Sequence, residues 1–126
     1  MKTDIVTEIF TVVDSGDAAA FSRFFTDTGR LVFGNGEPMI GHEEITKGVG
    51  AFFSTVAAIR HHIVGQWHQG NDSVIELSVD YDRLDGHTVT IPVVSILRFG
   101  PEGLVDDYRV FFDLTPVFAQ HPGLPS

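Results

Sequence analysis

Ionisable side chains interrupt the stretch Leu104–Thr115, which reads LVDDYRVFFDLT and is otherwise typical of a strand that crosses a core. Side chains alternate between the two faces of a strand. One face therefore carries an acid, a tyrosine and two apolar residues: Asp106, Tyr108, Val110 and Phe112. The other face carries the arginine between acids: Val105, Asp107, Arg109, Phe111 and Asp113. Such a strand lines a polar pocket, contacts a partner chain or faces water.

Three histidines in another predicted strand, His61, His62 and His68, raise the question of a metal site. His61 and His62 point to opposite faces, and His62 and His68 are separated by roughly 20 Å along a strand. The chain has no H-E-x-x-H motif, no glycine-rich phosphate loop and no G-x-S-x-G motif. It also has no cysteine, which excludes thiolate ligands and nucleophiles. We therefore predict no metal and no cofactor.

The overall charge excludes two classes of partner. The 126 residues include only 8 Lys and Arg against 17 Asp and Glu, which gives a formal charge of −9. Nucleic acids and anionic membranes both attract basic patches, so neither is expected as a partner. No apolar run approaches the ~20 residues of a membrane span, and acids interrupt the N-terminal segment where a signal peptide is apolar. We expect a cytoplasmic protein.

The first half of the chain has helical periodicity. Apolar spacing predicts helices over residues 4–14, 18–25 and 42–56. Asp17 is placed to cap the second helix. A turn and a short strand at 30–33 separate the second helix from the third. The first half therefore supplies helices that could cover a sheet.

The second half has strand periodicity. Four long strands are predicted over 60–69, 73–84, 87–99 and 104–114, separated by turn-forming residues such as Asp85-Gly86. Consecutive short connections predict an antiparallel meander. The length fits one domain, which we assign to residues 1–120, followed by a flexible tail at 121–126.

Helices followed by a run of strands indicate an α+β fold, with the helices on one side of a curved antiparallel sheet. A sheet that curls around a helix leaves a conical cavity, and such cavities are natural sites for ligands.

Local sequences in this order resemble the SnoaL-like group of the NTF2-like superfamily. The resemblance is carried by five stretches in order, across roughly residues 3–118: VVDSGDAAAF (12–21), FTDTGRLVF (25–33), GHEEI (41–45), RHHIVGQW (60–67) and DYRVFFD (107–113). It implies a cone in which a curved antiparallel sheet wraps around a long N-terminal helix with two further helices. It also implies a homodimer formed through the outer face of the sheet. Members include polyketide cyclases, ketosteroid isomerases, scytalone dehydratases, epoxide hydrolases and non-catalytic binding proteins, so the fold does not give the function.

The resemblance suggests an acid/base pair of Asp14 and His62. In members like scytalone dehydratase, an acid at the end of the first helix and a histidine at the start of the second strand both face the pocket. A carboxylate beside an imidazole fixes the tautomer and makes the ring a usable acid or base near neutral pH. The second catalytic histidine of those members has no counterpart over residues 74–81, where dehydratases carry it.

Asp80 matches the acid of epoxide hydrolase-like members, and in a desolvated cavity it could act as a general acid. Ser78 and Val110 occupy the positions of the other two catalytic groups, which disfavours epoxide hydrolysis. Ketosteroid isomerase activity is disfavoured too, because the base and both oxyanion donors of that chemistry are missing.

The expected pocket is mostly apolar. Its predicted ligand-binding residues are Phe33, Asn35, Trp67, Tyr108, Val110 and Phe112. Asn35 and Tyr108 would orient a ligand through hydrogen bonds, whereas the aromatic rings supply contact area.

Together these residues predict a cofactor-free isomerase, cyclase or dehydratase that acts on a small hydrophobic carbonyl or polycyclic compound. Asp14, His62 and Asp80 are its predicted catalytic residues. The alternative is a non-catalytic module of the same fold that binds a small molecule or forms a dimeric interaction. The directions of these three side chains distinguish the two hypotheses.

Overall fold

The computed structural model describes residues 2–119. The elements, in chain order, are α1 (Lys2–Asp14), α2 (Ala18–Ser22), β1 (Phe25–Phe33), β2 (Met39–Ile40), α3 (Gly41–Phe53), β3 (Ala58–Gln69), β4 (Asp72–Asp82), β5 (Thr88–Phe99), β6 (Val105–Phe111) and α4 (Thr115–Phe118). This is the predicted α+β arrangement, with four helices where the sequence predicted three.

The strands form one curved six-stranded sheet in the order β2-β1-β6-β5-β4-β3. The predicted meander is confirmed, since β3, β4, β5 and β6 pair with their chain neighbours in antiparallel fashion. The sheet is not wholly antiparallel, however, because β1 pairs with β6 in parallel. A parallel pair needs a long crossover connection, and the chain between β1 and β6 provides it.

The two faces of the sheet differ in chemistry. On β4 the alternate residues Ile75, Leu77 and Val79 are buried, whereas Glu76, which follows Ile75 in the chain, is exposed on the opposite side. We call the buried side the inner face and the other the outer face. The helices cover the inner face with fully buried side chains such as Ile9 of α1 and Ile45 of α3. The core therefore lies between the helices and the concave side of the sheet.

A β-bulge in β3 changes which residues face inward. His61 pairs with Val79, and the register then shifts between Ile63 and Gly65. An extra residue in one strand reverses the parity of everything that follows. As a result, Trp67 pairs with Val74 on the outer face.

Two predicted boundaries are wrong at α2 and β1. The helix ends at Ser22 and the strand begins at Phe25, although the spacing of the phenylalanines favours a helix through that point. The carbonyl oxygen of Phe24 accepts a hydrogen bond from the amide of Val105 at 2.8 Å. Pairing with β6 therefore outweighs the local helical preference, which is a weak determinant. Asp17 caps α2 as predicted, accepting from the amide of Ala20 at 2.9 Å.

The helices differ from expectation in one more respect. The N-terminal helix has 13 residues, which is also the length of α3, so it is not distinguished by its length. The closing strand ends at Phe111, and Asp113 then accepts a hydrogen bond from the amide of Thr115 at 3.0 Å where α4 begins. Asp113 thus caps the backbone just after the end of β6.

Within residues 2–119, no helix is both long and apolar enough to cross a membrane. The tail predicted at 121–126 lies outside the described residues.

Candidate functional site

A small cavity lies between the inner face of the sheet and the helices, and we call it the interior cavity. It encloses about 40 Å³, and most of its wall consists of phenylalanine and valine. Four polar side chains also line it, one from each of the four meander strands: His61, Tyr81, Ser95 and Tyr108. The strand alternation brings them to one side of the sheet because all four occupy inward positions.

Asp14 and His61 form a bonded pair at this wall. Asp14, the last residue of α1, accepts a hydrogen bond from the backbone amide of His61 at 2.9 Å. Its other oxygen lies 2.6 Å from His61 Nδ1. The imidazole also stacks on Phe10, with centroids 4.9 Å apart. With Nδ1–H donated to the carboxylate, Nε2 is the nitrogen available to accept a proton, an assignment that follows from the hydrogen bond.

The position of Asp14 is unusual for an acid. A negative charge at a helix C-terminus is opposed by the helix dipole, typically by about 0.3–1 kcal/mol. Two hydrogen bonds from His61 offset this, since bonds to charged groups contribute roughly 1.5–3 kcal/mol each. The side chains of Asp14 and His61 are 28% and 11% exposed, so water screens the pair only partly.

The predicted pairing of Asp14 with His62 is wrong. His62 follows His61 in β3 and therefore points to the outer face, where it is 58% exposed. There its Nε2 lies 3.0 Å from an oxygen of Asp80. The sequence shows that neighbouring histidines point to opposite faces, but only the register with β4 decides which one faces inward.

Asp80 also lies on the outer face, which contradicts its predicted place in a desolvated cavity. Thr90 donates a hydrogen bond to it at 2.6 Å, and Arg60 Nε lies 3.6 Å away. The hydrogen bond from Thr90, followed by that from His62, lowers the pKa of Asp80. A general acid needs the opposite shift, so Asp80 is placed as a surface ion-pair residue and not as the predicted acid.

A neighbouring pair extends this outer cluster. Arg60 donates two hydrogen bonds to Asp82, both at 2.8 Å, and Thr88 donates a third at 2.8 Å. The bonds from Arg60 and Thr88 lower the pKa of Asp82 to about 2. These contacts account for Asp80 and Asp82 of β4 without involving the cavity.

The predicted ligand-binding residues separate into two groups. Four of them line the interior cavity: Phe33, Tyr108, Val110 and Phe112. Trp67 does not, because the bulge in β3 turns it to the outer face, where it is 58% exposed. Asn35 does not either, because it lies in an exposed turn after β1 and is absent from the cavity wall.

Three polar residues of the cavity wall were missed at the level of sequence: His61, Tyr81 and Ser95. For Tyr81 a signal existed, since it alternates with the apolar residues of β4, but that pattern also fits plain core. Ser95 is 1% exposed and forms a hydrogen bond with the hydroxyl of Tyr108. Burial raises the pKa of both Tyr81 and Tyr108 well above the usual range, so both phenols stay protonated at neutral pH.

The volume of the interior cavity limits what it holds. A volume of about 40 Å³ leaves room only for a small molecule. The rings of Phe33, Phe52 and Phe112 fill the space with edge contacts at centroid distances of 5.5 and 5.9 Å. A polycyclic ligand therefore does not fit unless these rings move.

Two further concavities flank this region. A crevice of about 120 Å³ beside Asp14 shares Val13, Phe53 and Ile59 with the interior cavity, so these three side chains separate the two spaces. A larger groove of about 830 Å³ runs along the outer face past Trp67 and Arg109. His61 does not line that groove, and the volume of the groove alone does not identify it as a functional site. In residues 2–119, no group of three or more His, Asp or Glu is arranged to hold a metal.

Comparisons with known proteins agree with this architecture. The profile of the SnoaL-like domain matches residues 6–108. A sequence comparison with curated proteins gives no significant match.

Solved structures share the fold at low sequence identity. A hypothetical protein from Catenulispora acidiphila DSM 44928, with a ketosteroid isomerase-like fold and in complex with trimethylamine, is 22% identical, with 96% of this chain and 93% of that chain covered and a TM-score of 0.84. A protein from Jannaschia sp. CCS1 designated a SnoaL-like polyketide cyclase is 19% identical, with coverages of 98% and 94% and a TM-score of 0.78. SalBIII, an epoxide hydrolase/cyclase-like enzyme of pyran ring formation in the polyether salinomycin, is 20% identical, with coverages of 90% and 91% and a TM-score of 0.78. The chain belongs to the SnoaL-like domain family.

Proposed function

We propose that this protein is a cofactor-free acid/base enzyme for a small hydrophobic carbonyl compound, with His61 as the acid/base and Asp14 as its positioning residue. The observation that carries the proposal is the contact of 2.6 Å between Asp14 Oδ1 and His61 Nδ1 at the wall of the interior cavity. His61 takes the role that the sequence suggested for His62.

The proposed chemistry is a proton transfer next to a carbonyl. His61 Nε2 removes a proton from the carbon beside the carbonyl, and the electron pair moves to the oxygen as an enolate. Asp14 keeps Nδ1–H in place and offsets the positive charge that forms on the ring. Return of the proton to another atom gives isomerisation, its transfer to a leaving hydroxyl gives dehydration, and attack of the enolate on a second carbonyl gives cyclisation.

The aromatic wall supports a hydrophobic substrate. Phe33, Phe52 and Phe112 give the cavity an apolar wall, and apolar surroundings strengthen the interaction of the Asp14–His61 pair with a substrate. The small volume favours a compact carbonyl compound over a polycyclic one. The crevice beside Asp14 is the proposed route of entry, with Val13, Phe53 and Ile59 as the residues that must separate.

The second candidate is a non-catalytic small-molecule-binding module of the same fold. The observation that favours it is that the described wall of the interior cavity holds no acidic side chain, since Asp14 lines the neighbouring crevice. A thermal-shift screen with steroid, terpene and polyketide-like compounds identifies ligands under either hypothesis.

We also propose a homodimer through the outer face of the sheet. That face exposes Trp67 and Phe111 at 58% and 47%. Positively and negatively charged side chains lie on the same face, in the ion pairs Arg98–Asp72 at 2.9 Å and Arg109–Asp107 at 3.2 Å. A surface that carries apolar area and both charges can pair with a copy of itself about a two-fold axis.

The catalytic proposal is tested by hydrogen–deuterium exchange of acetone and cyclohexanone in D₂O, followed by NMR. The wild type should exchange the protons beside the carbonyl faster than buffer alone. His61→Gln should lose roughly 10²–10⁴-fold of that acceleration, while the adjacent His62→Gln, on the opposite face, should keep it. A ketone that stabilises the wild type and His61→Gln equally, without any exchange, would support the binding module instead.

A further inference from the structure

We propose that Tyr81 is a second ligand-contacting group of the interior cavity, which donates its phenolic hydrogen to the carbonyl oxygen of the substrate. This inference rests on the proposed acid/base function of the Asp14–His61 pair. The Asp14–His61 pair transfers the proton of the substrate, and Tyr81 would bind the carbonyl oxygen of the same molecule.

The register places Tyr81 beside His61. Tyr81 pairs with Ile59 across β3 and β4, so His61, two residues further on, is its diagonal neighbour on the inner face. Diagonal neighbours lie roughly 7–8 Å apart and are within reach of aromatic side chains. A small carbonyl compound spans such a gap, with its oxygen at one group and the adjacent carbon at the other.

The ring of Tyr81 is held firmly. It is 3% exposed, and it meets Phe52 edge to face, with centroids 6.2 Å apart and planes at 87°. A donor that is fixed before the ligand arrives loses little freedom on binding, which is what makes hydrogen bonds to a developing charge effective.

The hydroxyl of Tyr81 has no hydrogen-bond partner among the described residues. Within residues 2–119 no side chain or backbone group forms a hydrogen bond with it, although the residue lines the interior cavity. Tyr108, on the same wall, differs because its hydroxyl bonds Ser95. Among the described residues, only Arg109 Nε is a fully buried polar side-chain atom without a hydrogen-bond partner, so the hydroxyl oxygen of Tyr81 keeps some accessible surface. A ligand oxygen in the cavity would supply the partner that Tyr81 lacks.

Electrostatics keep Tyr81 a donor. Burial and then the negative charge of Asp14 raise its pKa far above the usual range. The phenol is therefore within electrostatic reach of the Asp14–His61 pair and stays protonated while His61 accepts the proton. The electron pair that moves onto the carbonyl oxygen is stabilised by the hydrogen bond, and Tyr81 itself keeps its proton.

The first test needs no ligand. Tyr81→Phe removes a hydroxyl that has no protein partner, so the midpoint of thermal unfolding should stay unchanged or rise. Tyr108→Phe removes a bonded hydroxyl of the same cavity and should lower the midpoint by a few degrees. If Tyr81→Phe lowers the midpoint as much as Tyr108→Phe, the hydroxyl has a structural bond and the inference is overturned.

The second test uses cyclohexanone labelled with ¹³C at the carbonyl and infrared spectroscopy of the bound ketone. Hydrogen-bond donation lowers the carbonyl stretching frequency, so Tyr81→Phe should shift it back up and slow proton exchange by roughly 10²-fold. His61→Gln should lose the exchange but keep the lowered frequency. A lowered frequency that persists in Tyr81→Phe overturns this inference alone. If the wild type binds the ketone and Tyr81→Phe does not, but no proton exchange occurs, only the proposed catalysis is refuted. If the wild type binds no ketone, both the proposed function and the role of Tyr81 are refuted.

Discussion

The carboxylate of Asp14 reaches His61 across 47 positions of the sequence and holds both its backbone amide and its ring. One acid thereby joins the last turn of α1 to the inner face of β3. The same contact fixes the tautomer of an imidazole that lines the interior cavity, so structure and proposed chemistry depend on it together.

Replacing Asp14 with alanine should therefore affect both stability and activity. The loss of two hydrogen bonds to a charged group should lower the free energy of unfolding by about 2–4 kcal/mol, and proton exchange should fall by roughly 10²–10⁴-fold. Urea denaturation and NMR exchange measure the two effects. The matched control is Asp17→Ala, which removes a helix cap and should cost about 1 kcal/mol without changing exchange. Full activity in Asp14→Ala would contradict the positioning role.

Acidification should destabilise the protein through the outer-face carboxylates. The folded-state pKa values of Asp80 and Asp82 are lowered, that of Asp82 to about 2. A carboxyl group with a depressed folded-state pKa stabilises the fold above its unfolded value, and this contribution is lost as pH falls through the folded value. The free energy of unfolding should thus decline between about pH 5 and pH 2.

Asp82→Asn should make that decline shallower in urea titrations at several pH values. The loop variant Glu37→Gln removes one negative charge from an exposed position and serves as the control. An equal slope in Asp82→Asn and the wild type would show that the Arg60–Asp82 pair contributes nothing to the pH dependence.

Phe52→Ala should enlarge the interior cavity. The ring contacts Phe33, Tyr81 and Phe118 edge to face, so its removal should cost about 2–4 kcal/mol of unfolding free energy. The variant should also bind larger apolar ketones than the wild type does, as thermal shift would show. Leu84→Ala, in the exposed turn after β4, should cost less than about 1 kcal/mol and leave ligand size unchanged. Equal costs for the two variants would contradict the position of Phe52 in the cavity wall.

The proposed dimer makes Trp67 a reporter, because it is the only tryptophan in the chain. Light scattering should give twice the 13.8 kDa of one chain, and acrylamide should quench the indole weakly. Ile96→Glu places a charge in the middle of the outer face and should give a monomer whose Trp67 is readily quenched. A wild-type mass of one chain would refute the dimer.

Much of the fold follows from local sequence. The period changes from helical to strand-like after residue 58, the turn residues divide the second half into four strands, and Asp17 caps its helix as predicted. These features depend on residues close together in the chain. The pairing of β1 with β6 does not, because it joins Phe25 to Val105, and it converts a predicted helix end and turn into strand.

The candidate site shows the same division more sharply. The sequence alone determined that the chain carries an acid at the end of its first helix, two adjacent histidines on opposite strand faces and a largely aromatic core. Only the tertiary structure decided that His61 is the inward histidine, that the bulge near Val64 turns Trp67 outward, and that Tyr81 joins the cavity wall. The reason is physical: side chains alternate with a period of two, so a single residue of register or one bulge exchanges the two faces. The pairing of β3 with β4 and its packing against α1 therefore determine which residues of β3 face the cavity.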